Sequence, residues 1–445
     1  MNTLIKNIDV QASWESPLLR GADIGIEGNK ILFISNGNSP ESAKAPAGFA
    51  PERIISGAGR LAIPGLVNAH CHTAMTLLRG YADDMDLETW LFDKIFPAEA
   101  ILTGGDIYWG TMLGIAEMLR GGVTAANDMY LKMDNVAAAF NDSGMRAKIS
   151  IGPLLTEKRG DALVDNEGCE KFFERWNGAS GGRLGVNIEI HSIYLYQPET
   201  LKEGAHLAKR LGAPIHIHIL ETATEKKNML GQYGKSSVVL AAEYGLLDGP
   251  VIAAHCVHVD DDDIAIIKDK DVNVVHNPSS NLKLASGIAP VPAMLRKGVN
   301  VCLGTDGASS NNTLDLFMEM RQAALIHKVN SGDPANMSAA EVFKMATING
   351  ARALGIANAV AGAGNGAGVG SLEAGGKADI AILSMDSPHL QPIYNHLSTL
   401  VYAARASDVE TVIVDGNILM ENRRLTTIDE EKTIYMAQRA AEKYR

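Results

Sequence analysis

The feature that most constrains this chain is a repeated grammar. Eight short β-rich runs recur at 66–72, 122–130, 145–153, 186–194, 214–221, 250–258, 272–280 and 299–307. Segments with helical periodicity lie between most of them, such as 198–212 and 291–298. Strands separated by helices pair in parallel through right-handed crossovers, and eight such units close a (β/α)8 barrel. The predicted class is therefore α/β, a TIM-like barrel spanning 64–358. Six of the eight runs carry a His or Asp at or beyond their C-terminal end, the face on which barrels of this kind build their sites.

Both chain ends read differently. The first sixty residues and the region after the barrel hold short strands with Gly and Asn turns, as in "GADIGIEGNKILFIS" and "VETVIVDGNILMENRRL". We expect one small β-sandwich assembled from 1–63 and 359–445, with a C-terminal helix. The Gly/Ala-rich stretch 359–376 suits a flexible excursion where the chain leaves the barrel. The acidic run Asp260 to Asp263 precedes a helical pattern, and capping explains it without a metal.

Composition narrows the partners. A net charge of −12 over 445 residues repels phosphate polymers and anionic lipid, which favours a small-molecule substrate over nucleic acid or membrane. No apolar run approaches the roughly 18–20 residues of a membrane span, and the N-terminus has no signal-like pattern, so a cytoplasmic location is expected. The four cysteines (Cys71, Cys169, Cys256, Cys302) form no C-x-x-C pair, which argues against a disulfide framework or a thiolate zinc site.

The chemistry starts at "LVNAHCHTAMTLLRG". Alternate strand residues face the same side, so His70 and His72 can aim at one point above the barrel. The fifth run adds His216, His218 and Glu221, the sixth His255 and the eighth Asp306. Three imidazoles and one carboxylate converging from different strands suit Zn or Fe with a position left for water.

The order "PGLVNAHCH", "HIHILE", "AAHCVH", "HNPSSNLKLASGIAPV" and "GTDGASSNN" strongly resembles the amidohydrolase superfamily. Within it the chain looks like the 5-methylthioadenosine/S-adenosylhomocysteine deaminases, and it is also similar to the triazine chlorohydrolases. The resemblance implies a hydrolytic deaminase of an adenosine-like nucleoside. It implies metal ligands at His70, His72, His218 and Asp306, water activation by His255 with Asp306, and proton transfer to the ring nitrogen by Glu221. His216 has no matching role, and we read it as a packing or supporting residue.

The resemblance further implies substrate contacts from Trp90 and Glu99 to the nucleoside and its ribose hydroxyls, and from His191 to the purine. Relatives that bridge two metals use a lysine on the fourth strand, and none lies between Gly185 and Thr200. One divalent ion is expected, Zn first, with Fe or Mn as alternatives. Relatives also suggest an arginine after the third strand to grip a homocysteine carboxylate, where this chain has Ser150, Ile151 and Gly152. Arg159 is a candidate substitute. That departure favours substrates without the tail.

Two other readings compete. A related site could act on another aminated or chlorinated heterocycle such as an aminopurine, pterin or triazine, although a triazine has no diol for Glu99. A catalytically inactive binding protein should have lost a ligand or Glu221, and none is missing. Relatives are often homo-oligomers, but the helix faces reveal no interface.

Overall fold

A computed structural model describes residues 2–35, 45–46, 48–152, 154–155, 163–357 and 368–444. Strands Leu66–His72, Val123–Met129, Arg146–Ile151, Leu184–Ser192, Ile215–Ile219, Val251–His255, Asn273–His276 and Val301–Leu303 follow one another in a single parallel sheet. The first, second, fifth, sixth and eighth are buried at every residue, as parallel strands covered on both faces must be.

The eighth run is broken. Its first half pairs with the seventh strand, and after Gly304 and Thr305 it resumes as Asp306–Gly307, which pairs with Cys71 and His72 of the first. One run thus touches both ends of the sheet, and the cylinder closes. Close approach dictates the glycine: a Cβ on Gly304 would lie 2.5 Å from Asn277 Oδ1 and 2.8 Å from the His70 carbonyl oxygen. Asn68 spans the break, donating to Thr305 Oγ1 at 2.8 Å and accepting from its backbone N–H at 3.0 Å.

The helices follow their local signals. Pro198–Leu211 starts with proline in its first turn and stops at Gly212, whose φ is +62°. Asp260 caps Asp261–Asp269 in a reciprocal box with Asp263, so the acidic run is a helix start. Among the described residues no helix is long and apolar enough to cross a membrane.

The chain ends form a second, mixed sheet of nine strands, eight in one hydrogen-bonded path and the ninth, Arg53–Ser56, paired alongside Asn2–Val10. Arg60–Pro64 is its joint, parallel to Asn2–Val10 on one side and antiparallel to Ile380–Ser384 on the other. The sheet curls until its hairpin tips meet: a Cβ on Gly416 would lie 2.0 Å from the Gly28 carbonyl oxygen. The sandwich is therefore one sheet folded over an aliphatic core that includes Ile8, Ile24, Ile26, Ile380 and Ile413. Helix Glu430–Ala441 packs on Gly104–Arg120 of the barrel. Within the Gly/Ala-rich stretch, residues 359–367 lie outside the described residues.

Candidate active site

His70 and His72 lie at the C-terminal end of the first strand, and His218 is the penultimate residue of the fifth. The ring nitrogens of these three lie within 4.8 Å of one another, and His70, His255 and Asp306 form a second such group. Asp306 Oδ1 lies 3.4 Å from His70 Nε2 and 3.2 Å from His72 Nε2, while His218 Nε2 is 3.4 Å from His72 Nε2.

The far sides of the rings assign their tautomers. His72 Nδ1 donates to the Met129 carbonyl, and His218 Nδ1 donates to the His191 carbonyl at 2.7 Å. A carbonyl only accepts, so each Nε2 turns a lone pair toward the cluster. His70 Nδ1 meets His216 Nε2 at 2.8 Å, and His216 Nδ1 meets Ser150 Oγ at 2.8 Å. His70 Nε2 is buried without a hydrogen-bond partner. An orphaned lone pair beside two more imidazoles and a carboxylate is a donor set that fits a divalent ion.

Asp306 is held from behind by the hydroxyls of Ser280 at 2.7 Å and Ser310 at 2.9 Å. Burial would raise its pKa, but His70 and His72 outweigh burial and hold the carboxyl well below its ordinary value. Leu220, His255 and Asp306 all have positive φ, at +49°, +73° and +62°. Backbone strain thus recurs at three successive site-bearing strand ends.

Glu221 follows the fifth strand with its Oε2 3.6 Å from His255 Nε2. His255 Nδ1 is engaged by Asn281 Oδ1 at 2.9 Å. Burial raises the Glu221 pKa. Its backbone is fixed by Glu225, whose carboxylate accepts from the N–H groups of Leu220 at 3.0 Å and Glu221 at 3.1 Å.

Above this floor is a cavity of about 100 Å³ whose walls include His72, His218, Glu221, His255 and Asp306 together with Trp90, Glu99 and His191. His70 lies beneath it, fully buried. Trp90 sits on a widened helical turn, Thr89–Ile95, that runs into Phe96–Ala100 bearing Glu99. Burial lifts Glu99 to about 7 and lowers His191 to about 3.

Of the candidate site residues, His72, Trp90, Glu99, His191, His218, Glu221, His255 and Asp306 line the cavity, His70 lies beneath it, His216 lies behind His70, and Arg159 lies outside the described residues. Sequence reasoning missed Glu189, Tyr130 and Phe96, which also line the cavity. Glu189 had a legible signal, an acid two residues before His191 and so on the same face of the strand. It also left His216 without a specific contact, which the structure supplies at His70. Ser150, where an arginine was sought, accepts from His216.

The Amidohydrolase family model matches residues 61–419. The chain belongs to the amidohydrolase family. This amidohydrolase is 46% identical over 444 residues to a 5-methylthioadenosine/S-adenosylhomocysteine deaminase of Acetivibrio thermocellus, covering 100% of this chain and 99% of that one. It is 45% identical over 426 residues to a 5'-deoxyadenosine deaminase of Methanosarcina acetivorans, covering 95% and 94%. The solved structure of an adenosine deaminase from Xanthomonas campestris with bound zinc superposes with a TM-score of 0.91 at 33% identity, covering 100% of this chain and 98% of that one.

Proposed function

We propose that this amidohydrolase hydrolyses the exocyclic amine of an adenosine-like nucleoside, consuming water and releasing ammonia and the inosine analogue. The observation that carries the reading is the pairing of Glu221 with His255 at 3.6 Å beside a cation-ready cluster whose His70 Nε2 has no other partner. In this reading His70, His72, His218 and Asp306 hold one divalent ion, zinc being the first choice. Such an ion supplies Lewis acidity, making water a nucleophile near neutral pH.

The side chains divide the remaining work. With Nδ1 turned to Asn281, His255 presents Nε2 as the acceptor that orients the attacking water. Glu221, kept protonated to higher pH by burial, hands a proton to the ring nitrogen beside the reacting carbon, so negative charge does not build up on the heterocycle. Asp306, held ionised, takes the proton that water loses, and a further transfer through Glu221 lets the amine leave as ammonia. Trp90 and His191 bracket the base. Glu99 accepts from the vicinal ribose hydroxyls, two donors that one carboxylate satisfies at once.

No Lys or Arg among the described residues lines the cavity, while Glu99 and Glu189 do. A tail ending in a carboxylate finds no described cationic partner there, which favours 5-methylthioadenosine, 5-deoxyadenosine or adenosine over S-adenosylhomocysteine. The test is a spectroscopic deamination screen of zinc-loaded protein against these four compounds, other aminopurines, pterins and aminotriazines, with Glu221→Gln as control. Turnover of the tail-free nucleosides, lost in the control, is expected. Activity on another ring with silence on every nucleoside overturns the substrate assignment.

A further inference from the structure

A second cavity, of about 480 Å³, opens beside the first and shares Leu87, Leu91, Tyr194 and Glu225 with it, so it is part of the same site. A third, of about 750 Å³, has no lining residue in common with either. It lies at the opposite end of the barrel. Gly212, Pro214, Gly249 and Pro250 border it just before the fifth and sixth strands begin, and Asn273, the first residue of the seventh, borders it too. Its size is within the range of small-molecule sites, roughly 300–1,000 Å³.

Of the charged residues on its walls, Lys148 alone belongs to a barrel strand. Asp248, Asp269, Asp271 and Arg352 are exposed, and Lys270 is ion-paired with Asp248 at 2.8 Å. Lys148 is partly buried and has no hydrogen bond or ion pair among the described residues. Burial lowers its pKa, and no neighbouring charge opposes that shift. The side chain lies over Gly185 of the adjoining strand, where a Cβ would come within 2.7 Å of Lys148 Nζ and 2.8 Å of its Cδ. Gly185 has no left-handed φ, so its backbone does not require glycine. What the missing side chain supplies is a bed for the lysine, at the cost of a weaker strand.

An ammonium withdrawn from water without a counter-charge is costly, and buried charges are as a rule paired. The space beside this one is walled by Phe173, Val186, Leu247 and Leu354, which reward burial of apolar surface. We propose that the third cavity binds a small organic monocarboxylate, its carboxylate on Lys148 Nζ and its apolar body against Phe173, Val186, Leu247 and Leu354. The exposed Asp269 and Asp271 on the same walls repel anions, and the repulsion grows with charge, so one negative charge is favoured over the two of phosphate. The site is separate from the metal cluster, and the inference does not depend on the nucleoside reading.

The experiment uses the zinc-loaded enzyme and three probes: benzoate, inorganic phosphate, and benzylamine as a cation of similar shape. Peptide mass spectrometry follows acetylation of Lys148 by acetic anhydride, with the exposed Lys6 as internal reference. Only the free amine reacts, so benzoate should slow labelling of Lys148 about tenfold at about ten times its Kd and leave Lys6 unchanged. Titration calorimetry should show one benzoate equivalent fewer in Lys148→Met than in the native chain, cooperative thermal unfolding showing that the variant is folded. Equal labelling of Lys148 with and without benzoate, or an unchanged stoichiometry in Lys148→Met, overturns the site. Protection by phosphate as strong as by benzoate overturns the monocarboxylate assignment, and protection by benzylamine overturns the role of the lysine charge.

Discussion

At the scale of single residues, the site depends on side chains whose partners lie on other strands. His216 is the clearest case. It accepts from His70 and donates to Ser150, so it holds a proposed metal ligand in one tautomer. His216→Phe should weaken zinc binding about 10–100-fold, the usual effect of losing a ligand's outer partner. Competition with a chelator measures that loss, and unchanged affinity would refute the role. Glu221→Gln keeps the size of the side chain and removes its exchangeable acid. Turnover should fall about 10²–10⁴-fold with zinc content unaltered, which separates a proton carrier from a ligand.

At the scale of elements, strand ends and helix starts carry the strain and the caps. The break in the eighth strand lets one run pair with two neighbours while aiming Asp306 inward. Gly304→Ala would press a methyl against Asn277 and the His70 carbonyl, at an overpacking cost of about 1–3 kcal/mol. Thermal unfolding should show a lowered midpoint, accompanied by weaker zinc retention because His70 moves. Asp260→Ala removes a cap worth about 1 kcal/mol and should leave metal content untouched. An effect of that change on zinc would mean the acidic run binds ions after all.

At the scale of the molecule, the terminal sheet is clamped to the end of the barrel opposite the active site. Arg146, buried at the start of the third strand, makes two 2.9 Å bonds to Asp379 and approaches Asp415 at 3.2 Å. Arg146→Met strands the buried Asp379 carboxylate and leaves Asp415 with Lys377 as its only cation, and should cost about 3–5 kcal/mol, read as a large drop in the thermal midpoint. Burial would raise the Asp415 pKa, but Lys377 and Arg146 outweigh burial and leave it below its ordinary value. A depressed carboxylate contributes stability that is full above its unfolded pKa, near 3.9, and is lost as pH falls through the lower folded value. Asp415→Asn should therefore destabilise at neutral pH and flatten the acid limb of the midpoint–pH curve; parallel curves would refute the linkage.

The barrel was legible in the sequence, because eight β-rich runs separated mostly by helical segments have few ways to pair other than in parallel through crossovers. The pairing of His70 with His72 at a strand end was legible too, since period-two alternation puts both on one side, whereas the same spacing of His216 and His218 left the place of His216 undecided. Capping at Asp260 was legible for the same reason, as it depends on residues three apart. Contact across distant segments was not legible there: that His216 serves His70, that Arg146 spans to Asp379 and Asp415, that the terminal strands curl as one sheet, and that a second cavity opens beside the first. Such contacts depend on how strands hundreds of residues apart come into register, and short-range periodicity carries no record of that.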